Sequence, residues 1–227
     1  TPNPNGPVDV LVNCAGTSIA GSFDSTDPSE FNRMFNTNVL GSVYPTRALL
    51  PEMKNNKNGT ARIVFVSSQV AQCALHGYTA YAASKWALRG LAEALQMEVK
   101  PYNIIVSVAY PPDTDTPGYE VEMQSKPDLT KVLSETGSVF TSEEVAADIV
   151  KYSGKGYFGI STGLDGWMLK QAHPGMSPLN NLWETLQLIL VAPIAKIISI
   201  FVVLTWDIQC KDALRKEIAA AAKTKQE

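Results

Sequence analysis

Histidine and cysteine are scarce in this chain of 227 residues: two histidines, His76 and His173, and three cysteines, Cys14, Cys73 and Cys210. No C-x-x-C pair occurs, and no third ligand stands at metal spacing beside either histidine, so neither a zinc site nor a disulfide framework organises the chain. The odd, dispersed thiols point to a reducing compartment, and each histidine reads as a surface or structural residue. Charge is thin as well. Only 18% of the residues are charged and the net charge is -3, with a pI of about 5.5. No Lys/Arg-rich run interrupts that balance, which excludes the broad phosphate attraction that nucleic-acid binding needs. The opening T-P-N-P-N-G-P-V-D-V has no basic stretch followed by an apolar one, so it is not a secretory signal; it reads as a turn entering a strand. Internal repeats and low-complexity tracts are missing too.

What the chain has is apolar residue, 45% of it, enough to bury the core of one domain. Val8 to Val12 is a β-branched run closed by N-C-A-G, as a buried strand ending in a turn would be. Apolar residues at helical spacing, opened by D-P-S-E, predict a helix over 28–53 with a kink or break at Pro45. Ala61 to Ser68 and Ile104 to Tyr110 read as further strands, separated by a helix from Tyr78 to Val99. Thr141 and Glu144 have the spacing of a capping box before V-A-A-D-I-V-K-Y-S, and Y-F-G-I-S-T reads as a last strand. Short strands alternating with long helices predict an α/β fold with a parallel sheet covered on both faces. Ligands bind such sheets beyond the carboxyl ends of the strands, which gathers N-C-A-G, Ser67-Ser68 and P-P-D-T at one edge.

Tyr81 and Lys85 in Y-A-A-S-K stand one helical turn apart on one face, so both reach toward that edge. Reducing a ketone requires a proton for the developing alkoxide, and a phenol donates it when its acidity is raised. Bringing a tyrosine from ~10 toward neutrality takes about 4 kcal/mol of preference for the phenolate. One ammonium about 4 Å away supplies that at an effective dielectric of about 20. Ser68 would hydrogen-bond the substrate oxygen, with Ser67 as the alternative serine, and Asn38 would hold a water or carbonyl on a proton path to Lys85. Taken singly, each piece has a bland reading: a solvated lysine, a loop cap, a turn, a surface amide.

Together, N-C-A-G (Asn13 to Gly16), N-V-L-G (Asn38 to Gly41), Ser67-Ser68 and Y-A-A-S-K, with Ser68 and Tyr81 separated by 13 positions, resemble the short-chain dehydrogenase/reductase family. The resemblance covers about Val8 to Gly163. It implies a Rossmann-like parallel-sheet reductase using NADPH, with Asn38, Ser68, Tyr81 and Lys85 catalytic. It further implies cofactor contacts from Asn13, Ala15, Gly16, Tyr81, Lys85, Pro111, Thr114 and Thr116. Residues 114–126 would close over the substrate, with Tyr119, Val121 and Met123 beside Ser68 on the substrate side; plain surface-loop packing is the alternative. The family's glycine-rich turn T-G-x-x-x-G-x-G does not occur. The expectation is a fold that starts near the family's fourth strand, with weak cofactor affinity, an unpaired sheet edge and exposed apolar faces.

Hydrophobicity rises sharply near residue 182. From Leu182 to Trp206 the chain is long enough, at about 1.5 Å per residue, to cross a ~30 Å hydrocarbon layer. Between Leu186 and Leu204 there are 13 Leu, Ile, Val or Phe residues. They favour insertion by about 4 to 8 kcal/mol against about 3 kcal/mol opposing from Lys196. Pro193 and Lys196 leave room for a re-entrant or interfacial hairpin, and a buried helix of a soluble oligomer is the other alternative. The expected organisation is therefore a reductase part at 1–181, a membrane segment at 182–206 and a polar tail at 207–227. The tail ends K-T-K-Q-E, like a dilysine retrieval signal of endoplasmic reticulum membrane proteins; the expected location is that membrane, with the catalytic part facing the cytoplasm. With P-P-D-T-D-T-P-G-Y, this tail resembles family members that reduce the keto group of a long-chain sphingoid base. The partners so implied are that substrate and membrane lipid, with self-association open. A non-catalytic membrane-anchored variant and a steroid or retinoid reductase are the competing readings.

Overall fold

The structure is a computed structural model that describes residues 8–56, 59–134 and 137–224. In chain order the elements begin β1 (Val10–Asn13), α1 (Pro28–Met34), α2 (Gly41–Lys54), β2 (Ala61–Val66), α3 (Thr79–Val99), β3 (Ile104–Tyr110) and β4 (Thr114–Asp115). They continue α4 (Pro117–Ser125), α5 (Asp128–Ser134), β5 (Phe140–Thr141), α6 (Ser142–Gly154), β6 (Gly159–Ser161), α7 (Gly163–Ala172) and α8 (Leu182–Thr224). The turn expected at the amino end falls in residues 1–7, and the last residues of K-T-K-Q-E in 225–227; both lie outside the described residues.

Strands β1, β2, β3 and β6 form a parallel sheet in that order, while β4 and β5 make a separate parallel pair. Register runs from Val10 opposite Arg62 and from Ala61 opposite Ile104. Alternation along β2 divides the sheet's faces. Ile63 and Phe65 join Val106 and Val108 under Leu88, Ala92 and Val99 of α3 and Met53 of α2, all buried. From the other face Arg62 donates to the Ser153 and Gly154 carbonyls at the end of α6. The short β1 differs from the buried strand expected: Val10 and Val12 are 50% and 46% exposed, and among the described residues the strand pairs only with β2.

The expected break at Pro45 lies elsewhere. Residues Phe35–Leu40 form a π turn, and α2 then runs through both Pro45 and Pro51. A π turn inserts an extra residue into the helix, so the irregularity is taken up five residues before the proline. Asn38 sits in this widened turn, fully buried.

The capping box at α6 forms as expected: Thr141 Oγ1 accepts from the Glu144 amide, and the Glu144 carboxylate accepts from the Thr141 amide. Removing the cap with Thr141→Ala lowers stability by about 1 kcal/mol, read as a reduced urea midpoint at unchanged slope.

Candidate active site

The carboxyl ends of β1, β2 and β3 open into one cavity of about 1140 Å³. Two hydrogen bonds, running in opposite directions, fix α3 against the end of β2. Lys85 Nζ donates to the Val66 carbonyl at 3.0 Å, and Ser67 Oγ donates to the Lys85 carbonyl at 2.9 Å. Ser67 is thereby used in the fold and stays buried, whereas Ser68 caps the short helical turn Gln69–Ala71 and carries its hydroxyl beside Tyr81. Both serines, Tyr81 and Lys85 line the cavity.

Asn38 ties a third piece to the pair. Its side-chain oxygen accepts from the Thr17 amide at 2.8 Å, and its nitrogen donates to the Thr17 carbonyl at 3.0 Å and to Ser84 Oγ at 2.8 Å. The Asn38 carbonyl accepts the Ser42 hydroxyl. The amide expected on a proton path thus spends its hydrogen bonds holding the loop after β1 against α3, with no direct bond to Lys85 among the described residues. The loop it holds presents Gly16, where a Cβ would come 3.2 Å from Lys85 Nζ and 3.3 Å from the Asn38 side-chain oxygen. A Cβ here would make Lys85 or Asn38 give way by a few tenths of an ångström, so the glycine leaves a flat floor in front of the lysine.

Electrostatics depart from the expected acidified phenol. Burial pushes the Tyr81 hydroxyl up to about 12; Ser68 pulls it down, and the Glu122 and Asp113 carboxylates push it further up. Lys85 stands 5.8 Å from the Tyr81 ring centre with its ammonium aimed at the Val66 carbonyl, and burial brings it down to about 8 while Cys14 opposes. The ammonium is a neighbour of the phenol rather than its contact partner.

Of the other residues singled out in the sequence, Gly16, Pro111, Thr114, Thr116, Tyr119 and Val121 line the cavity. Asn13, Ala15 and Met123 do not. Asn13 is buried and donates to Thr46 Oγ1, pegging β1 to α2, and Ala15 points outward between Cys14 and Gly16, which do line the cavity. Met123 is rotated away by helical twist, and its neighbour Glu122 takes the inward position. Sequence reasoning missed a polar group here. Tyr78, its ring tilted against that of Tyr81 with centres 5.7 Å apart, donates a hydrogen bond to Glu122. Beside it Asp113 lies 3.6 Å from the buried Lys126 ammonium. Burial and Glu122 together raise the Tyr78 hydroxyl far above its ordinary range. The sequence signal was available: Glu122 and Lys126 fall within the span expected to close over substrate, and Asp113 immediately precedes it.

Lys85 titrates lower in the folded state than its ordinary 10.5, so between about pH 8 and 10.5 the unfolded chain binds more protons. Its contribution to stability therefore rises with pH across that window. The melting temperature of the unaltered chain minus that of Lys85→Met, measured in detergent, is expected to climb from about pH 8 to pH 10.5; a flat difference contradicts the assigned burial.

Comparison with known proteins agrees with this geometry. Residues 3–126 match the family described as short chain dehydrogenase. The 3-ketodihydrosphingosine reductase of Bos taurus is 52% identical over 202 residues, which are 89% of this chain and 60% of that protein. The 3-dehydrosphinganine reductase of Danio rerio is 50% identical over 222 residues, 93% of this chain and 66% of that protein. The chain thus spans less than two thirds of the curated relatives it matches. Among solved structures, a short-chain dehydrogenase from Streptomyces avermitilis superposes with TM-score 0.61 at 30% identity, covering 74% of this chain and 65% of that one. One from Burkholderia cenocepacia, in complex with NADP, shares the fold with TM-score 0.60 at 20% identity, covering 80% and 68%. With the sheet, the Ser68, Tyr81 and Lys85 arrangement and these matches in agreement, the chain belongs to the short-chain dehydrogenase family.

Proposed function

We propose that this chain carries the catalytic part of an NADPH-dependent reductase that converts the keto group of 3-ketodihydrosphingosine to the alcohol of dihydrosphingosine, in sphingolipid biosynthesis. The observation that carries this reading is the placement of Ser68, Tyr81 and Lys85 on the wall of one large cavity. The names of the relatives support the substrate. So does the cavity wall: Asp113 is paired with Lys126, while Glu122 has a phenol as partner and, among the described residues, no cation. One negative charge beside Tyr81 suits an amino group next to the ketone, as a sphingoid base has, and disfavours a neutral steroid or retinoid.

Gly16, Pro111, Thr114 and Thr116, together with Lys85, fit the nicotinamide and ribose end of the cofactor, because the Gly16 floor admits a flat group against the lysine. The sequence holds no T-G-x-x-x-G-x-G turn for the diphosphate. When bound, NADPH supplies the hydride that becomes the new C–H bond at the carbonyl carbon. The carbonyl π pair then moves onto oxygen, and Tyr81 delivers its proton there. Ser68 donates a hydrogen bond to the same oxygen, holding it at Tyr81. Lys85, protonated below about pH 8, stabilises the phenolate left behind.

Among the described residues, Leu182–Lys216 is the one stretch of helix long and apolar enough to cross a membrane. The reading takes 182–206 as the membrane segment, 1–181 as the reductase part and 207–227 as the polar tail. It places the protein at the endoplasmic reticulum membrane with the catalytic part toward the cytoplasm, where a long-chain ketone dissolved in lipid is within reach. A competing reading is a membrane-anchored form without catalysis.

Tyr81→Phe is expected to lower ketone-dependent oxidation of NADPH by about 100-fold or more, while NADPH still raises the melting temperature of the variant. No thermal shift with NADPH in the unaltered chain favours the competing reading. Glu122→Gln is expected to cost about 10- to 100-fold in kcat/KM for the amino ketone, with little change for a neutral ketone; an equal loss on both rejects the role given to the carboxylate.

A further inference from the structure

Helix α8 has two dissimilar faces. Its amino-terminal end is pinned to the catalytic domain: Glu184 accepts from Lys170 Nζ at 2.7 Å and from the Asn180 backbone and side chain, while Lys170 also donates to the Gly159 carbonyl of β6. From there the helix runs along the domain. Ala195, Ser199, Val202, Trp206 and Gln209, spaced by three or four residues, share one face and line the same cavity as Tyr81 and Ser68. This stripe extends about 21 Å at the usual helical rise. Its hydroxyls do not make it polar: Ser199 donates to the Lys196 carbonyl, and Thr205, next to the stripe, to that of Phe201. Val132, Val145, Ile149 and Met168 line the cavity as well, so much of its wall is apolar.

The opposite face is uncovered. Ile194, Ile197, Phe201, Leu204 and Ile208 are more than half exposed, in a helix whose apolar window has mean hydropathy 2.5 and is 6% buried. An apolar surface of this length does not face water in a soluble domain. Val202 of the stripe and Ile198 beside it line the cavity and are still about 40% exposed, so the cavity opens sideways along the helix toward whatever covers its outer face.

We propose that α8 is one wall of a hydrocarbon channel that opens sideways into the lipid covering the helix's outer face. The long chain of the substrate lies along Ala195, Ser199, Val202 and Trp206 while its ketone reaches Tyr81. This rests on the reductase reading above and adds to it the residues that hold the chain and the route by which it enters. Membrane attachment and chain recognition are then carried by one helix, with entry from the bilayer rather than from water.

The test uses the full chain in lipid nanodiscs and a long-chain 2-amino-3-ketone bearing a diazirine near the end of its chain, with crosslinks mapped by mass spectrometry. Labelling is expected on the inward positions from Ser199 to Gln209. Ser199→Trp and, separately, Val202→Trp fill the channel and are expected to cut that labelling at least tenfold, since each methylene displaced from apolar contact costs about fourfold in affinity. Phe201→Trp, on the outer face, leaves it unchanged; circular dichroism of all three variants checks the helix. Labelling confined to outer positions, or untouched by both inward variants, overturns the channel. A neutral long-chain ketone with the same diazirine separates the two readings. If it labels the stripe as well as the amino ketone does, the channel stands and the sphingoid head group fails. If the amino ketone is reduced but labels elsewhere, the channel alone fails.

Discussion

The crossed pair of hydrogen bonds between Lys85 and the end of β2 is the constraint from which the site follows. An ammonium that gives up water must find an acceptor, and the Val66 carbonyl, freed where the strand's pairing ends, is one. The return bond from Ser67 to the Lys85 carbonyl prevents α3 from turning about its own axis. With the rotation of α3 set, Tyr81 has one direction left, and Ser68, the residue after Ser67, is delivered beside it. Asn38 then clamps the loop after β1 to Ser84 of α3, completing the floor. Three polar side chains buried in an apolar domain, Lys85, Ser67 and Asn38, thus locate the reacting groups, and burial in turn moves Lys85 down and Tyr81 up.

A lysine near 8 and a tyrosine near 12 do not make a ready proton donor in the resting cavity. Part of the shift in Tyr81 comes from Glu122 and Asp113, and that part is removable. On the proposed reading, a substrate ammonium at Glu122 would cancel the repulsion that opposes the phenolate, so recognising the head group also makes the phenol more acidic. Neutral ketones would forfeit this assistance, a reason for selectivity to appear in turnover and not in binding alone.

Local pattern was enough for much of this. Tyr81 and Lys85 one turn apart, Thr141 with Glu144, and the apolar runs of β2 and β3 are determined within a few residues, and the structure places them as their spacing predicts. What could not be read depends on contacts distant in sequence. Asn13 has the residue type of a ligand contact, yet Thr46, 33 positions away, takes its amide. The inward position on α4 belongs to Glu122 rather than Met123 because rotation of a short helix about its axis is fixed by Tyr78, 44 positions back. Pro45 misled because proline marks where a helix can break, whereas the π turn is set by Asn38 reaching across to Thr17 and Ser84. The apolar stretch from Leu182 gave its length and composition but not that one of its faces would line the catalytic cavity.

The open side of β1 has a bearing on how the molecule behaves in company. Its backbone donors and acceptors along that margin meet no strand among the described residues, and Val10 and Val12 stand bare beside them. Such a border is a template: any extended segment arriving in register would zip onto it, gaining ladder bonds and burying two valines at once.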